Sequence, residues 1–358
     1  MERVRVGTIG GGAFGTSLCV HCSRAGHETL IYTRDEGVTA DINNPQVKEN
    51  KVYFKGFRLP GSLRASTNLL DVVAHADLLL LCVPTPYVAA TLEKIRDHLQ
   101  PHQVLVSCSK GILNETLETV DKILERVLPV SLHRRIAFLS GPSFAAEVAR
   151  EKPTCVTIAA RDLAVCKRVQ MLLSTGRFRC YRTADVTGVE LAGALKNVLA
   201  IGCGMVDGLD FGGNGRAALI TRGHSEIVRL AVALGAHPLT LSGLAGIGDI
   251  VLTCTGDLSR NRTVGLRLGK GEALEDIIAS MKAVAEGVLT SRSAHLLAQK
   301  VKISTPIIDA VYRIVHERAD PLATLDQLMS MDLMPEVDEA VLAASTATHL
   351  LTESHDPA

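Results

Sequence analysis

Residues 3–33 of the chain, "RVRVGTIGGGAFGTSLCVHCSRAGHETLIYT", decide the fold of its first half. The residues at 3–9 predict a strand, those at 13–25 predict a helix, and those at 28–33 predict a second strand. Gly26 suits the C′ position that ends such a helix. Strand, glycine turn, helix and strand follow one another within about 30 residues, which is the setting that a dinucleotide-binding turn requires.

The glycines of this unit, "GGGAFG" at 10–15, have the spacing GxGxxG. Gly10 permits a tight turn, Gly12 lets the backbone approach a pyrophosphate, and Gly15 allows close packing of helix on strand. The free N–H groups at the start of the helix would then face the phosphates. The context predicts dinucleotide binding, and a purely structural turn is the alternative.

Strands and helices continue to alternate up to about residue 185. Helices are predicted near 87–98, 116–127 and 162–173, and further strands at 76–84, 103–111, 135–142, 155–160 and 178–183. The alternation predicts the α/β class, with a Rossmann-type, doubly wound parallel sheet over residues 1–185. Lys110 and Ser143 lie just past two strand ends, where ligands of such sheets bind.

The second half of the chain predicts a mostly α-helical domain over residues 186–340. Apolar segments of helical length occur at 188–206, 216–234, 273–283, 288–300, 306–317 and 322–331. Residues 341–358 are expected to form a flexible tail, since little in them would anchor the chain.

Composition argues against several classes of partner. Lysine plus arginine equal aspartate plus glutamate, 38 against 38, and there is no tryptophan, so a nucleic-acid partner is not expected. No apolar run approaches the ~18 residues that span a bilayer, so membrane insertion is not expected. The start and end of the sequence match no common targeting signal, and nine cysteines suggest reduced thiols; together these favour the cytoplasm.

Cys19 and Cys22 form the one CxxC pair. Such a pair can bind a metal or exchange a disulfide, but a second pair that would complete a zinc site is missing from the sequence. Packing of both thiols against the sheet is the preferred interpretation, and no metal is expected. His21, between them, is expected to be an exposed helix residue.

Lys196 stands out in the apolar segment 188–206, where Glu190 is the other charged residue. A lysine in such a segment needs a partner, and burial lowers the pKa of a lysine toward the range useful for proton transfer. A lysine whose ammonium reaches solvent from the helix edge is an equal alternative.

The segment 242–265, "SGLAGIGDIVLTCTGDLSRNRTVG", carries a second group of polar residues. Asp249 sits among apolar residues, and Thr253 shares its face if the segment is helical. Arg260 and Asn261 could clamp a phosphate, although such a run is more often a solvated helix start.

These segments carry a resemblance to a known family. The chain resembles the NAD(P)-dependent glycerol-3-phosphate dehydrogenases from Val4 to about Leu333. The motifs that match, in order, are "GGGAFGTSL" at 10–18, "YFKGFRLP" at 53–60, "SKGI" at 109–112, "SGPSFAAEVA" at 140–149, "ALKNVLAIG" at 194–202, "NGRAALITRG" at 214–223, "GLAGIGDIVLTCTGDLSRNR" at 243–262 and "AVAEGV" at 283–288. The resemblance implies reversible hydride transfer between NAD(P)H and dihydroxyacetone phosphate, which gives sn-glycerol 3-phosphate. It also implies that the protein is a homodimer.

The resemblance also implies roles for individual residues. Lys196 would transfer the proton, Lys110 would contact both substrate and cofactor, and Asp249 would hold their geometry. Further substrate contacts are implied at Gly141, Ser143, Asn197, Thr253, Ser259, Arg260 and Asn261. Cofactor contacts are implied at Ala13, Phe14, Lys110, Ala145, Arg260, Val284 and Glu286, beside the glycines of the turn.

The choice between NAD and NADP depends on the residues after the second strand. An NAD site usually has an acidic residue at the strand end, and here the chain reads Thr33, Arg34 and Asp35. Asp35 is one position late for a ribose contact, whereas Arg34 could meet a 2′-phosphate or simply lie on the surface. The sequence predicts NAD use with NADP tolerated.

Two other functions remain as alternatives. Another β-hydroxyacid dehydrogenase, acting on 6-phosphogluconate or a 3-hydroxy acid, would share the first domain and a helix lysine but would not be expected to carry the 243–262 motif. A non-catalytic NAD(H)-sensing protein would be expected to lack Lys110, Lys196 or Asp249, and all three are present.

Overall fold

The computed structural model describes residues 2–281, 285–333 and 336. The expectations for Val284 and for the tail at 341–358 lie outside these residues. The chain divides into two compact units, described separately below. Of the described residues, the first consists of 2–110 and 118–190, and the second of 111–117 and those from Leu191 on.

The first unit is built on one eight-stranded sheet. Seven of its strands were expected from apolar runs, and the three-residue β3 was not. The strands are β1 Arg5–Ile9, β2 Glu28–Tyr32, β3 Arg64–Ser66, β4 Leu78–Leu81, β5 Val104–Ser107, β6 Ile136–Ser140, β7 Thr154–Ala159 and β8 Phe178–Thr183. Their order across the sheet is β3-β2-β1-β4-β5-β6-β7-β8. The chain therefore runs outward from β1 in both directions, as in a doubly wound sheet.

The sheet is parallel, as predicted, except at one pair of neighbouring strands. β6 and β7 pair antiparallel, with Leu139 opposite Ile158, whereas the other neighbouring strands pair parallel. The connection between them carries one helix of five residues, Ala145–Ala149. So short a helix does not carry the chain back to the starting edge of the sheet, and a parallel crossover is not made.

Helices cover the sheet on both faces. They are α1 Ala13–Arg24, α2 Glu36–Asn43, α3 Leu69–His75, α4 Val88–Ile95, α5 Val120–Val127, α6 Val130–His133, α7 Ala145–Ala149 and α8 Leu163–Leu173, with short 3₁₀ turns at Thr85–Tyr87 and Arg96–His98. The all-leucine β4 is buried along its whole length, which is why its sequence shows no alternation.

Helix α1 packs with both of its CxxC thiols inside. Burial raises the pKa of Cys19 to about 12 and that of Cys22 well above its ordinary value, so both thiols stay protonated. The packing interpretation of the pair is confirmed. The expectation for His21 is wrong: its ring is buried, lies 4.4 Å from the Phe178 ring, and its Nε2 is 2.7 Å from the Leu173 carbonyl oxygen.

The cysteines carry no disulfide. Seven of the nine are buried, and Cys82 and Cys155 are partly exposed. The first unit holds Cys19, Cys22, Cys82, Cys108, Cys155, Cys166 and Cys180, and the second holds Cys203 and Cys254.

The second unit is mostly helical, as predicted. Its helices are α9 Val186–Gly208, which begins at the end of the first unit, α10 Gly212–Ala233, α11 Pro238–Leu241, α12 Asp249–Thr255, α13 Arg260–Gly269, α14 Leu274–Ser280, α15 Glu286–Val301, α16 Pro306–Glu317 and α17 Pro321–Met329. A wide π-type turn, Leu244–Gly248, leads into α12. The core of this unit surrounds α9, because nearly every side chain from Leu191 to Met205 is buried.

Helices α9 and α13 cross with their backbones in contact. Each contributes two glycines four residues apart, Gly204 and Gly208 on α9 and Gly265 and Gly269 on α13. A Cβ on Gly265 would collide with the Ile201 carbonyl oxygen, and one on Gly204 would collide with the carbonyl of Arg262. Only residues without a side chain allow this approach.

Two helical stretches are long and apolar enough, by length and composition alone, to cross a membrane. They are Val186–Gly208 and Pro238–Thr255. The apolar window of the first is entirely buried within the protein, which accounts for its composition, whereas that of the second is 39% buried and is broken at Gly246.

A buried carboxylate caps one helix of the second unit and makes its stability depend on pH. Glu226 on α10 accepts hydrogen bonds from the backbone N–H groups of Ile307, at 2.8 Å, and Ile308, at 3.1 Å, in the first turn of α16. Burial nevertheless raises the pKa of Glu226 to about 7. In the unfolded chain the same group titrates near ~4.3.

We expect Glu226 to lower the free energy of unfolding as the pH rises from about 4.5 to 7. In that window the unfolded carboxyl group ionises while the folded one keeps its proton, so the contribution present at lower pH is lost, by about 3 kcal/mol. Urea unfolding at several pH values measures this. Glu226→Gln should remove that slope and the exposed Glu36→Gln should keep it; equal slopes for both variants and the wild type would contradict the assignment.

Candidate active site

The glycine turn leaves the start of α1 open. Gly10 has φ +120°, and a Cβ there would lie 2.5 Å from the Cys82 carbonyl oxygen. A Cβ on Gly15 would collide with the carbonyl of Gly10, whereas nothing lies within 4 Å of a Cβ on Gly12. No side chain caps the helix, so no side-chain hydrogen bond occupies the N–H groups of its first turn, from Ala13 on, and this arrangement fits a pyrophosphate.

Asn50 holds the turn in place, and it was not among the residues predicted for the site. Its Nδ2 donates to the carbonyl oxygen of Gly11, at 3.0 Å, and to Oγ1 of Thr16, at 2.9 Å. The residue is completely buried, although it lies in a loop 35 residues beyond the end of the glycine turn. One amide thus ties the turn to the first turn of α1.

Beyond the end of β2 the chain presents a cation to solvent. Arg34 is exposed, and no ion pair joins it to any residue in the described part of the chain. Asp35 is occupied by α2: its Oδ1 accepts from the backbone N–H of Val38 at 2.9 Å, as a helix N-cap. The carboxylate nearest to the usual ribose position is therefore already used in the fold.

The other predicted residues of the first unit follow β5 and β6. Lys110 is partly exposed, three residues after the end of β5. Gly141 follows β6 with φ +130°, and its carbonyl oxygen accepts a hydrogen bond from Oγ of Ser143 at 2.8 Å. Ala145 is the first residue of α7. Strand ends thus bring Lys110, Gly141 and Ser143 to one edge of the sheet.

Glu190 is a buried carboxyl group of the same unit. It accepts hydrogen bonds from the backbone N–H groups of Val120 and Asp121 in the first turn of α5. Burial, followed by the charge of Asp121, raises the pKa of Glu190 well above its ordinary value, and the charge of Lys110 acts in the opposite direction. Burial thus favours the uncharged form of the Glu190 carboxyl group in this apolar segment.

In the second unit the structure brings Lys196, Asp249 and Thr253 together. The Lys196 ammonium lies 2.5 Å from Oδ1 of Asp249 and donates to Oγ1 of Thr253 at 3.0 Å. The Thr253 hydroxyl in turn donates to the Asp249 carbonyl oxygen at 2.6 Å, because the two residues are one turn apart on α12. Lys196 is 8% exposed and Asp249 1%, so the equal alternative of a solvated lysine is wrong.

A chain of amide contacts lies one residue beyond Lys196. Asn261 donates from Nδ2 to Oδ1 of Asn197 at 2.9 Å, and its own Oδ1 accepts from the backbone N–H of Gly287 at 2.9 Å. A Cβ on Gly287 would lie 2.5 Å from the Asn197 carbonyl oxygen. The pair Asn197 and Asn261 therefore joins three helices, α9, α13 and α15. Its contact on α15 is Gly287, which directly follows Glu286.

The run "SRNR" is a helix start, as its more common interpretation suggested. Ser259 caps α13 by accepting from the backbone N–H of Arg262 at 3.2 Å. Arg262 is held by two carboxylates, Asp207 and Asp257. Arg260 is exposed, and within the described residues no carboxylate pairs with it. The two arginines thus differ: Arg262 supports the fold, and Arg260 is available to an anion.

Within the described residues, no group of three or more His, Cys, Asp or Glu side chains is arranged to hold a metal ion.

A Rossmann-type unit joined to a helical unit with a buried lysine–carboxylate pair defines the class of two-domain, dinucleotide-dependent dehydrogenases. Residues 5–166 match the family model for the N-terminus of NAD-dependent glycerol-3-phosphate dehydrogenase, and residues 185–326 match the model for its C-terminus. The chain belongs to the NAD-dependent glycerol-3-phosphate dehydrogenase family.

Individual relatives cover nearly the whole chain. A glycerol-3-phosphate dehydrogenase [NAD(P)+] of Syntrophobacter fumaroxidans is 45% identical over 333 residues, which is 93% of this chain and 97% of the relative. That of Myxococcus xanthus is 47% identical over 327 residues, 91% of this chain and 97% of the relative. The crystal structure of glycerol-3-phosphate dehydrogenase from Coxiella burnetii has a TM-score of 0.85 at 32% identity, covering 92% of this chain and 99% of that one.

Proposed function

We propose that this chain is an NAD(P)-dependent sn-glycerol-3-phosphate dehydrogenase, which interconverts dihydroxyacetone phosphate and sn-glycerol 3-phosphate. The observation that carries the proposal is the buried Lys196–Asp249 pair at 2.5 Å, in a chain whose two halves match the two domains of this family. A buried ion pair is weak evidence for stability, but an ammonium group fixed by a carboxylate suits the transfer of a proton.

The first unit is proposed to hold the dinucleotide. The N–H groups at the start of α1, near Ala13 and Phe14, would take the pyrophosphate, since Gly12 leaves the approach open and α1 has no side-chain cap. When bound, the reduced nicotinamide supplies the hydride. Ala145 and, from the second unit, Arg260, Val284 and Glu286 are proposed as further cofactor contacts.

The two lysines are proposed to stabilise and protonate the substrate oxygen as it becomes negatively charged. As the ketone carbon accepts a hydride, its oxygen becomes an alkoxide, and Lys196 Nζ donates the proton that turns it into the alcohol. Asp249 and Thr253 orient that ammonium through the contacts at 2.5 and 3.0 Å. Lys110 contributes positive charge that stabilises the developing alkoxide.

The substrate phosphate is proposed to lie at the start of α13. Arg260 offers there a guanidinium that pairs with no carboxylate of the described residues, and the backbone N–H groups of the first turn add to a positive helix end. Asn261 and Asn197, joined at 2.9 Å, fix the first turn of α13 relative to the Lys196 turn of α9. Gly141, Ser143 and Ser259 complete the proposed substrate contacts.

Oxidation of NADH, followed at 340 nm with dihydroxyacetone phosphate as the substrate, tests the proposal. We expect steady turnover that depends on the ketone phosphate. Turnover with 6-phosphogluconate or a 3-hydroxy acid and NAD+, but not with dihydroxyacetone phosphate, would assign the chain to another β-hydroxyacid dehydrogenase. Binding of NADH without turnover of any of them would identify a nucleotide sensor.

Arg34 is proposed to allow NADP as well as NAD. Arg34→Gln should raise the KM for NADPH by about tenfold, because one charge-assisted contact to the 2′-phosphate is lost, and should leave the KM for NADH nearly unchanged. The exposed Arg96→Gln is the matched control. An equal change in both Michaelis constants, or none, would remove this role from Arg34.

The setting of the reaction is also proposed. We infer a cytoplasmic homodimer that links glycolysis to glycerolipid synthesis and redox balance, and that needs no metal ion. The mass of the protein in solution tests the dimer, and undiminished turnover after dialysis against a chelator tests the independence from metals.

A further inference from the structure

We propose that the first unit carries a second anion site, which binds a small phosphorylated molecule beside the edge strand β3. A cavity of about 700 Å³ lies there, within the ~300–1,000 Å³ that ligand sites occupy. Its lining combines three cations with apolar side chains, chiefly Lys48, Arg58, Arg64, Leu30, Pro45 and Ala65.

Carboxylate groups neutralise the three cations of this cavity only in part. Among the residues that the structure describes, Arg64 pairs with a carboxylate, that of Glu28 at 3.1 Å, and both side chains of that pair are more than half exposed. Arg58 donates to the Pro45 carbonyl oxygen at 2.9 Å, and Lys48 donates from Nζ to the Leu63 carbonyl oxygen at 2.6 Å. Within the described residues, no carboxylate pairs with Lys48 or Arg58.

Lys48 is the least expected of these groups. It is 6% exposed, and burial, followed by the charge of Arg58, lowers the pKa of its ammonium. An ammonium group that is removed from water beside a second cation, with a neutral carbonyl as its acceptor, is unfavourable. A bound anion between Lys48 and Arg58 would offset both the desolvation and the repulsion.

The loop that carries these cations is fixed before any ligand arrives. Lys48 has φ +52°, its backbone N–H donates to the Asn44 carbonyl at 2.9 Å, and its own carbonyl accepts from Leu59 at 2.7 Å. Asn43 pairs with both backbone groups of Ala65, at 2.8 and 2.9 Å, and so closes the open edge of β3. A preorganised site loses less conformational freedom on binding.

The cavity is separate from the proposed cofactor site. In the parallel pair of β2 and β3, Leu30 lies opposite Arg64 and Tyr32 opposite Ser66. The cavity is at the Leu30–Arg64 level, where β3 begins, whereas the backbone N–H of Gly10 bonds to Tyr32 at the carboxyl end of β2. A ligand of this cavity therefore lies toward the opposite end of β3 from the glycine turn.

The chemistry of the lining selects the ligand class. A guanidinium and an ammonium together favour a phosphoryl group, which offers several acceptor oxygens and two charges. Leu30, Pro45 and Ala65 offer an apolar wall for the rest of the molecule. A phosphorylated metabolite other than the substrate and the dinucleotide fits this combination.

Calorimetric titration of the full-length protein with pyrophosphate, in the presence of saturating NADH, tests the site. We expect saturable binding that weakens about tenfold in Arg58→Gln and similarly in Lys48→Met, since each removes one charged contact. Arg96→Gln, an exposed arginine elsewhere in the same unit, should bind as the wild type does. Arg260→Gln should also bind as the wild type does, which separates this site from the proposed substrate phosphate site.

Three results would overturn the proposal: no saturable binding to the wild type, equal binding by Arg58→Gln and the wild type, or a loss of binding in Arg260→Gln but not in Arg58→Gln. Circular dichroism of Lys48→Met checks its fold, and the exposed Arg58 provides a variant that does not depend on that check. The proposal is independent of the proposed reaction, because pyrophosphate binding is measured without turnover.

Discussion

Replacing Lys196 by alanine is expected to lower kcat by about 100-fold or more, since the group that donates the proton is removed. Initial rates of NADH oxidation with saturating dihydroxyacetone phosphate measure the effect. Lys270→Ala, at an exposed position after α13, is the control and should keep the wild-type rate. Lys196→Met with a native fold and a rate within about threefold of the wild type would contradict the assignment.

The stability of the variants separates a chemical from a structural role. Lys196→Met removes the ammonium group 2.5 Å from Asp249, which is 1% exposed, and breaking a buried ion pair in this way costs about 3–5 kcal/mol. The double variant Lys196→Met/Asp249→Asn removes both charges and should recover most of that stability. We expect its turnover to stay low, because no proton donor has been restored. Recovery of turnover along with stability would make Lys196 a structural residue.

Gly265→Val is expected to prevent the second unit from folding. A Cβ at Gly265 would collide with the Ile201 carbonyl oxygen and lie 2.9 Å from the Met205 backbone nitrogen, so α9 and α13 would have to separate. Separation would also pull Asn261 away from Asn197. We expect a loss of at least ~4 kcal/mol, measured as loss of soluble protein or of the cooperative thermal transition.

Gly213→Ala is the matched control for this prediction. Gly213 lies in α10, and nothing is within 4 Å of a Cβ built there. An alanine should keep the protein folded and stabilise the helix by up to ~1 kcal/mol. A wild-type melting temperature for Gly265→Val would contradict the prediction, because it would show that α9 and α13 can separate at little cost in free energy.

The sequence predicted the parts of the fold that repeat a long apolar pattern. The first strand, helix and second strand lie within a residue or two of their predicted ends, because the glycine turn and Gly26 mark both ends of α1. Helices α9, α10, α15 and α16 were likewise predicted, since each exceeds ten residues. β3, with three residues, is too short to show a period and was missed, and the short helices α2 and α3 were missed as well.

The candidate site could likewise be predicted only where a local sequence pattern marks it. The sequence alone singled out the segments of Lys196 and Asp249 as unusual. It did not predict from spacing that the two side chains are in contact, since they lie 53 positions apart in the chain. Asn50 was missed because its partners are a backbone carbonyl and a hydroxyl far away in the sequence, and no local pattern signals such a bond. His21 was expected to be exposed, whereas its ring packs against Phe178, and no local pattern signals a contact between residues so far apart in the chain.

The positions of the cysteines allow unfolding of each unit to be followed by thiol labelling. A maleimide reacts with a thiolate that it can reach, and seven of the nine cysteines are buried in the folded chain. Seven cysteines lie in the first unit and two, Cys203 and Cys254, in the second. Peptide masses after timed labelling in urea would therefore show which unit opens first, without an added dye or an engineered cysteine.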